Sequence, residues 1–136
     1  MATEIFIDTG AWVALADRND PFHAAATAFY PNLVKQWPMW ITTNLVIAET
    51  YSLIRRRIGH FMSITFLGNM QNVAQLRWIY SDPVMEAQAV VILRRYKDQD
   101  FSYVDAVSFA VMQQRDISEA FAFDHHFTTA GFTRVV

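Results

Sequence analysis

The sequence predicts a single α/β domain with a mainly parallel central sheet of about five strands. The first observation behind this prediction is a series of short apolar runs that alternate with helical segments along the chain. The second is size and composition, because 136 residues of which 53% are hydrophobic can bury one substantial core. No repeat, linker or low-complexity segment divides the chain, so residues 1–136 are expected to form one domain.

Five apolar runs are of strand type, and each is short. Their limits are 4–8, 39–42, 76–80, 120–123 and 133–136. The first run ends in a carboxylate, Asp8, and the second follows Pro38. Because helical segments separate most of these runs, the strands are expected to pair in parallel.

Six segments between the strands have helical composition. Their limits are 11–17, 23–35, 44–57, 61–71, 83–97 and 102–115. Asp20 and Pro21 predict the start of the second helix, as its cap and its first helical residue, and Pro31 is expected to interrupt that helix. Asn44 is the predicted N-cap of the third helix, which ends before Gly59.

Composition and charge exclude several classes of protein. The formal net charge is −2, so there is no global basic field, and any nucleic-acid binding requires a local basic patch. The absence of cysteine excludes disulfides, thiolate metal sites and cysteine nucleophiles, and it suits a reducing cytoplasm. The chain shows no signal-peptide pattern and no apolar run of the ~20 residues that a membrane span needs. We therefore expect a cytoplasmic protein without a membrane segment.

Four acidic residues follow or interrupt apolar segments: Asp8, Glu49, Asp105 and Asp124. Asp8 and Asp124 follow predicted strands, whereas Glu49 and Asp105 lie on predicted helices. Three of them have ordinary alternatives, which are a helix N-cap for Asp8, a capping box with Ser102 for Asp105, and a turn for Asp124. Glu49 is the hardest to explain in this way, because a carboxylate on an apolar helix face is costly unless it is paired.

Together the four acids predict a metal site. Ligands of parallel sheets bind outside the carboxyl ends of the strands, where all four side chains can converge. Carboxylates that lie close together raise one another's pKa values, and a divalent cation relieves their repulsion. Oxygen-only ligands, without cysteine or regular histidine spacing, indicate Mg²⁺ or Mn²⁺ rather than zinc. Such ions activate water and neutralise phosphate oxygens, so the site predicts metal-assisted hydrolysis of phosphodiesters.

Four segments span nearly the whole chain in this order: FIDTGAW, TTNLVIAETYSLIRRR, FSYVDAVSFAVM and AFDHHFTTAGF. They resemble the PIN-domain ribonucleases, and most of all the VapC-like toxins of toxin–antitoxin systems. The resemblance implies a three-layer α/β/α fold, a Mg²⁺- or Mn²⁺-dependent endoribonuclease acting on RNA, a small antitoxin protein as partner, and a homodimer. It assigns the family's catalytic, metal-binding quartet to Asp8, Glu49, Asp105 and Asp124, and a supporting hydroxyl to Thr9.

Three arginines end the helix that carries Glu49: Arg55, Arg56 and Arg57. They can complement the helix dipole, or they can bind RNA phosphates or an antitoxin, and the sequence leaves both interpretations open. His125 and His126 are expected to be exposed turn residues, with a proton relay as the alternative.

The predicted function is therefore a metal-dependent endoribonuclease, the toxin of a toxin–antitoxin pair. The alternative is a non-catalytic PIN-like module that binds RNA or protein. An apolar stripe at helical spacing, which begins at Phe61 and Met62, is expected to pack in the core; if it is exposed, it predicts a dimer or antitoxin surface.

Overall fold

The computed structural model describes residues 2–136, in which helices and strands alternate as predicted. The strands are β1 (Glu4–Ile7), β2 (Met39–Thr43), β3 (Leu76–Ile79), β4 (Glu119–Phe121) and β5 (Thr133–Arg134). The helices are α1 (Thr9–Ala16), α2 (His23–Gln36), α3 (Asn44–Arg57), α4 (His60–Met70), α5 (Pro83–Arg95), α6 (Tyr103–Gln114) and α7 (His126–Thr129).

The five strands form one sheet in the order β3-β2-β1-β4-β5, and every neighbouring pair is parallel. The central strand β1 pairs Phe6 with Ile41 of β2 on one side and with Ala120 of β4 on the other. This arrangement confirms the prediction of an α/β domain with about five mainly parallel strands.

The helices form two layers around the sheet. The chain moves outward from β1 through β2 to β3, then crosses to β4 on the other side of β1 and continues to β5. Because crossovers between parallel strands are right-handed, connections that run in opposite directions place their helices on opposite faces. Accordingly, α1 packs against α2 and α3, α3 packs against α4, and α5 packs against α6. The result is the expected three-layer α/β/α sandwich.

The core lies between the sheet and both helical layers, and aromatic side chains fill much of it. All three apolar residues of β1, from Ile5 to Ile7, are fully buried. Phe109 of α6 packs edge-on against Phe127 of α7, with ring centroids 5.0 Å apart, and Phe127 lies 6.2 Å from Phe6. The short helix α7, which the sequence did not predict, is anchored to the core through this contact.

The start of α2 differs from the prediction. Asp20 and Pro21 lie before the helix, which begins at His23, because the Asp20 carboxylate accepts the Phe22 backbone N–H at 2.8 Å and closes a turn. The helix also continues through Pro31 rather than being interrupted. Pro31 is exposed, so water can satisfy the carbonyl oxygen that loses its helical donor.

The cap of α3 is one residue earlier than predicted. The Thr43 hydroxyl accepts the Val46 backbone N–H at 3.0 Å, which makes Thr43 the N-cap. The side chain of Asn44 instead accepts the Ser81 backbone N–H at 2.8 Å and joins α3 to the end of β3. Asn44 therefore stabilises a tertiary contact rather than the helix end.

Between residues 2 and 136, no helix combines the length and the apolar character that crossing a bilayer requires.

Candidate functional site

A cleft of about 470 Å³ opens at the carboxyl ends of β1 and β4. These two strands are neighbours, but the chain leaves them in opposite directions, so their following loops separate and leave a crevice between them. The Asp8 backbone N–H donates to the carbonyl oxygen of Phe121 at 3.1 Å, which shows how closely the two strand ends approach. All four acids predicted from the sequence line this cleft: Asp8, Glu49, Asp105 and Asp124.

Asp8 is buried although it carries a carboxyl group, with 5% of the residue exposed. It occupies the N-cap position of α1 in extended backbone geometry, yet its side chain makes no capping hydrogen bond, so the capping alternative does not account for it. Burial first, and then the charges of Asp105, Asp124 and Glu49, raise the pKa of Asp8 from 3.8 to about 7, and the Thr9 backbone N–H partly opposes this shift. In residues 2–136 no basic side chain forms an ion pair with Asp8, so its negative charge is not compensated there.

Asp105 takes part in the capping box that the sequence offered as its ordinary alternative, and it also lines the cleft. It forms the capping box of α6, in which its backbone N–H donates to the Ser102 hydroxyl and its Oδ2 accepts the Ser102 backbone N–H at 3.1 Å. The residue is also 8% exposed and lines the cleft. The capping box orients the Asp105 side chain through Oδ2, and it leaves the second carboxylate oxygen, Oδ1, unused.

Asp124 lies three residues beyond the end of β4, where it starts the turn into α7. Its Oδ1 accepts the His126 backbone N–H at 2.9 Å, and its Oδ2 lies 3.3 Å from the His126 Nδ1 atom. The turn predicted as the ordinary alternative is therefore present, and it directs the carboxylate into the cleft.

Glu49 lies on the face of α3 that points to the cleft. Its neighbours one and two turns later on that helix, Leu53 and Arg57, also line the cleft, since residues four apart share a helix face. Glu49 is half-buried, and no hydrogen bond or ion pair to it is found among residues 2–136. Local structure therefore does not explain the carboxylate of Glu49 at this position.

The three arginines at the end of α3 lie on different faces of the helix, because consecutive helical residues do not share a face. Arg57 shares the face of Glu49, and its Nη1 lies 2.9 Å from Asp20 Oδ2 and 3.8 Å from Asp17 Oδ2. Arg55 and Arg56 are exposed on other faces of α3 and do not line the cleft. Of these three arginines, Arg57 is therefore the one that lines the cleft.

His126 is the cleft residue that the sequence interpretation undervalued. Its Nδ1 lies 3.1 Å from Asp105 Oδ2 and 3.3 Å from Asp124 Oδ2, and its side chain is 14% exposed. The ring packs edge-on against Phe101 with centroids 5.2 Å apart. The expectation of an exposed turn residue holds for His125, whose side chain is 74% exposed, and is wrong for His126.

Thr9 does not provide the hydrogen bond that its predicted supporting role implies. Its hydroxyl oxygen is buried and has no hydrogen-bond partner in the part of the chain that the structure describes. An unsatisfied buried hydroxyl beside Asp8 fits a site that holds a further polar group. Its backbone N–H, in contrast, favours the charged form of Asp8.

The donor set of the cleft fits a hard divalent cation. Its acidic side chains offer only oxygen atoms, which Mg²⁺ and Mn²⁺ prefer. In residues 2–136 the ligand atoms of Asp124, His125 and His126 lie within 4.8 Å of one another, whereas the four acids as a set are not gathered this closely. Burial, and after it the charges of the other three acids, raises the pKa of Asp8, and a bound cation would relieve both effects.

Comparison with known proteins gives relatives that extend over most of the chain. The chain is 36% identical over 132 residues to the 23S rRNA-specific endonuclease VapC20 of Mycobacterium tuberculosis, which covers 96% of this chain and 97% of that protein. It is 27% identical over 110 residues to the VapC ribonuclease of Archaeoglobus fulgidus, which covers 79% of this chain and 69% of that protein.

Two solved structures superpose on most of this chain. The crystal structure of Mycobacterium tuberculosis VapC20, described as a sarcin-ricin loop cleaving toxin, superposes with a TM-score of 0.87 at 34% identity over 95% of this chain and 96% of that one. FitAcB from Neisseria gonorrhoeae superposes with a TM-score of 0.65 at 12% identity over 96% of this chain and 95% of that one, a similarity of fold alone. The family model of the PIN domain matches residues 5–132. The chain therefore belongs to the PIN-domain family.

Proposed function

We propose that this protein is a metal-dependent endoribonuclease that hydrolyses RNA phosphodiester bonds. The observation that carries the proposal is the convergence of four carboxylates on one cleft, where burial and the other three charges raise the pKa of Asp8 to about 7. A cluster of this kind is costly unless a cation joins it. The names of two relatives, an endonuclease and a ribonuclease, support the reaction class.

The residues proposed to hold Mg²⁺ or Mn²⁺ are Asp8, Glu49 and Asp105, with Asp124 completing the set. When bound, such an ion activates water and neutralises charge on the scissile phosphate. The surrounding residues act on the ligands: the Ser102 N–H and His126 Nδ1 both contact Asp105 Oδ2 and hold that carboxylate in place. Ligands that are oriented in this way bind a metal with less loss of side-chain freedom.

The proposed substrate is an unpaired loop within a structured RNA. Bases of an A-form helix are poorly accessible, whereas those of loops can be splayed out toward a protein surface. VapC20, the relative with 36% identity, is described as specific for 23S rRNA, and its structure as that of a toxin that cleaves the sarcin-ricin loop. A hairpin that carries this loop is therefore the first RNA to test.

We further propose that the protein is the toxin of a toxin–antitoxin pair in the cytoplasm, with a small antitoxin protein as partner, and that it forms a homodimer. The description of VapC20 as a toxin supports the first of these proposals. The apolar stripe expected to pack in the core is in part exposed on α4, since Phe61 is 79% exposed and Met62 is exposed as well. Ile64, which lies outside the stripe on the same helix, is also exposed. An exposed apolar patch of this kind supports a protein partner.

The proposal is tested by incubating the purified protein with 23S rRNA, the sarcin-ricin hairpin and a tRNA pool, in Mg²⁺, in Mn²⁺ and in EDTA. We expect defined cleavage of at least one RNA in either metal and none in EDTA. Cleavage that persists in EDTA contradicts the metal requirement. Binding of RNA without turnover in both metals contradicts the nuclease and supports a non-catalytic RNA-binding module instead.

A further inference from the structure

Two phenylalanines form a stack at the wall of the cleft. The rings of Phe22 and Phe123 lie 4.6 Å apart between centroids and are inclined by 11°, and both residues line the cleft. Phe123 packs in turn against the buried Phe121, at 5.9 Å. The stack therefore extends from the core to the surface, where Phe22 ends it with 47% of the residue exposed.

The same loop that carries Phe22 also holds a cation at the cleft. Asp20 accepts the Phe22 backbone N–H through Oδ1 at 2.8 Å and the Arg57 Nη1–H through Oδ2 at 2.9 Å. One carboxylate therefore fixes both an aromatic ring and a guanidinium group. Asp17, which caps the end of α1, lies 3.8 Å from the same Arg57 atom and adds to this fixation.

Arg57 retains donors for a ligand. A guanidinium group has five N–H donors, and in the described part of the chain Arg57 donates only from Nη1, to Asp20. Its side chain is 45% exposed, although the two carboxylates beside it are almost covered. The free N–H groups are thus available to an anion in the cleft, and a phosphate matches their planar fork.

We propose that Phe22 and Arg57 form a subsite for one unpaired nucleotide of an RNA, beside the four acids. The base stacks on the exposed ring of Phe22, and a neighbouring phosphate binds the free N–H groups of Arg57. This inference rests on the proposed function for the identity of the ligand as RNA. It extends that function, because it separates the residues that hold the strand from the residues that hold the metal.

The chemistry of this subsite favours RNA over an apolar protein side chain. An aromatic ring beside a cation suits a nucleotide, which offers a π face and a phosphate at neighbouring positions. The cleft continues from these residues to Asp8, Glu49 and Asp105, so a strand bound here leads to the acids. Because every base has a π face, the subsite contributes affinity without a marked preference for sequence.

A fluorescence titration tests the subsite directly. The probe is a ten-nucleotide oligo(U) RNA with one central 2-aminopurine, whose emission falls when the base stacks and whose uridine neighbours stack on it only weakly. It is titrated with the Asp8→Asn protein, chosen to prevent cleavage during the measurement, and with the same protein that also carries Phe22→Leu. Leucine keeps apolar bulk at this half-exposed position but has no π face, and melting curves verify that both proteins are folded.

We expect quenching on binding of the Asp8→Asn protein, and we expect Phe22→Leu to abolish the quenching and to weaken binding about 10-fold. Phe22→Tyr, which restores the ring, is expected to restore both signals, and Arg57→Gln is expected to weaken binding while some quenching remains at saturation. Tyr80→Leu serves as the matched control, because Tyr80 is an exposed aromatic residue outside the cleft. It is expected to change neither signal.

Two outcomes overturn the subsite: no binding of the oligonucleotide by the Asp8→Asn protein, or equal quenching and affinity with and without Phe22→Leu. The proposed nuclease fails separately. If no RNA is cleaved in Mg²⁺ or Mn²⁺ but quenching still depends on Phe22, the subsite stands and the catalytic proposal does not.

Discussion

The Nδ1 atom of His126 lies 3.1 Å from the Oδ2 atom of Asp105, across 21 residues of sequence. Because an ionised carboxylate only accepts hydrogen bonds, this geometry places the proton of the ring on Nδ1, which donates to Asp105. Asp124 Oδ2 approaches the same nitrogen at 3.3 Å. One half-buried N–H group thus lies between two of the proposed metal ligands and limits their movement.

His126→Ala is expected to weaken Mn²⁺ binding and to lower the rate of RNA cleavage by about 10-fold to 100-fold, the usual effect of removing a group that orients a ligand. His126→Asn keeps an N–H donor near the position of Nδ1 and is expected to recover part of both losses. The measurements are Mn²⁺ titrations by calorimetry and cleavage rates at saturating RNA. His125→Ala is the control, since that side chain is largely exposed. Equal effects of both alanine variants contradict the orienting role.

Asp8→Asn is expected to stabilise the metal-free protein at about pH 8, by about 5 °C in melting temperature. The pKa of Asp8 is raised from 3.8 to about 7 in the folded protein, so its folded state holds a proton that the unfolded state releases. The stability contributed by Asp8 is complete below pH 3.8 and is lost as the pH rises through 7. Because asparagine does not ionise, Asp8→Asn removes this loss of stability.

The increase in melting temperature caused by Asp8→Asn is therefore expected to become smaller as the pH is lowered toward about 4. Thermal melts in EDTA measure it. Asp116→Asn serves as the control, because Asp116 is exposed and its φ of 57° is tolerated by asparagine as well as by aspartate. A gain from Asp8→Asn that is the same at both pH values argues against a raised pKa for this carboxyl.

Arg57→Gln is expected to weaken RNA binding more than Arg56→Gln, because Arg57 lines the cleft and Arg56 faces away from it. Loss of one phosphate contact makes the plot of log affinity against log salt shallower by about 0.7 for a single strand. Fluorescence anisotropy at several salt concentrations measures this slope. Identical slopes for the two variants would assign the arginine run to helix capping alone.

Phe109→Ala is expected to destabilise the protein by about 3 to 5 kcal/mol, since the ring is fully buried and its loss leaves a cavity between α6 and α7. Val84→Ala, at an exposed position of α5, is expected to change the free energy of unfolding by about 0.5 kcal/mol or less. Urea denaturation of both variants measures the difference. A comparable loss of unfolding free energy in the two variants would contradict the burial of Phe109 in the core.

The fold could be predicted from the sequence because its signals are local. Short apolar runs between helical segments identify the strands, and acids placed directly after strands indicate the edge where a site forms. The errors lie at element ends, where a side chain changes the boundary. Asp20 closes a turn before α2, and Thr43 rather than Asn44 caps α3.

The parts of the site that were not predicted depend on tertiary contacts. His125 and His126 are adjacent histidines that the sequence does not distinguish, and the contacts that bury the second one against the acids are tertiary. The stack of Phe22 on Phe123 joins residues from two separate loops, so no local pattern announces it. Arg57 is different, since its spacing of eight residues from Glu49 already places both on one face of α3.

The most direct measurement of the central claim is the single-turnover rate of RNA cleavage in Mn²⁺ by the wild-type protein and by Asp8→Asn, with Asp116→Asn as the matched control. The substrate is the RNA that the wild-type protein cleaves. We expect a fall of at least about 100-fold for Asp8→Asn and an unchanged rate for Asp116→Asn. Cleavage by Asp8→Asn at the wild-type rate would contradict the claim that these carboxylates form the active site.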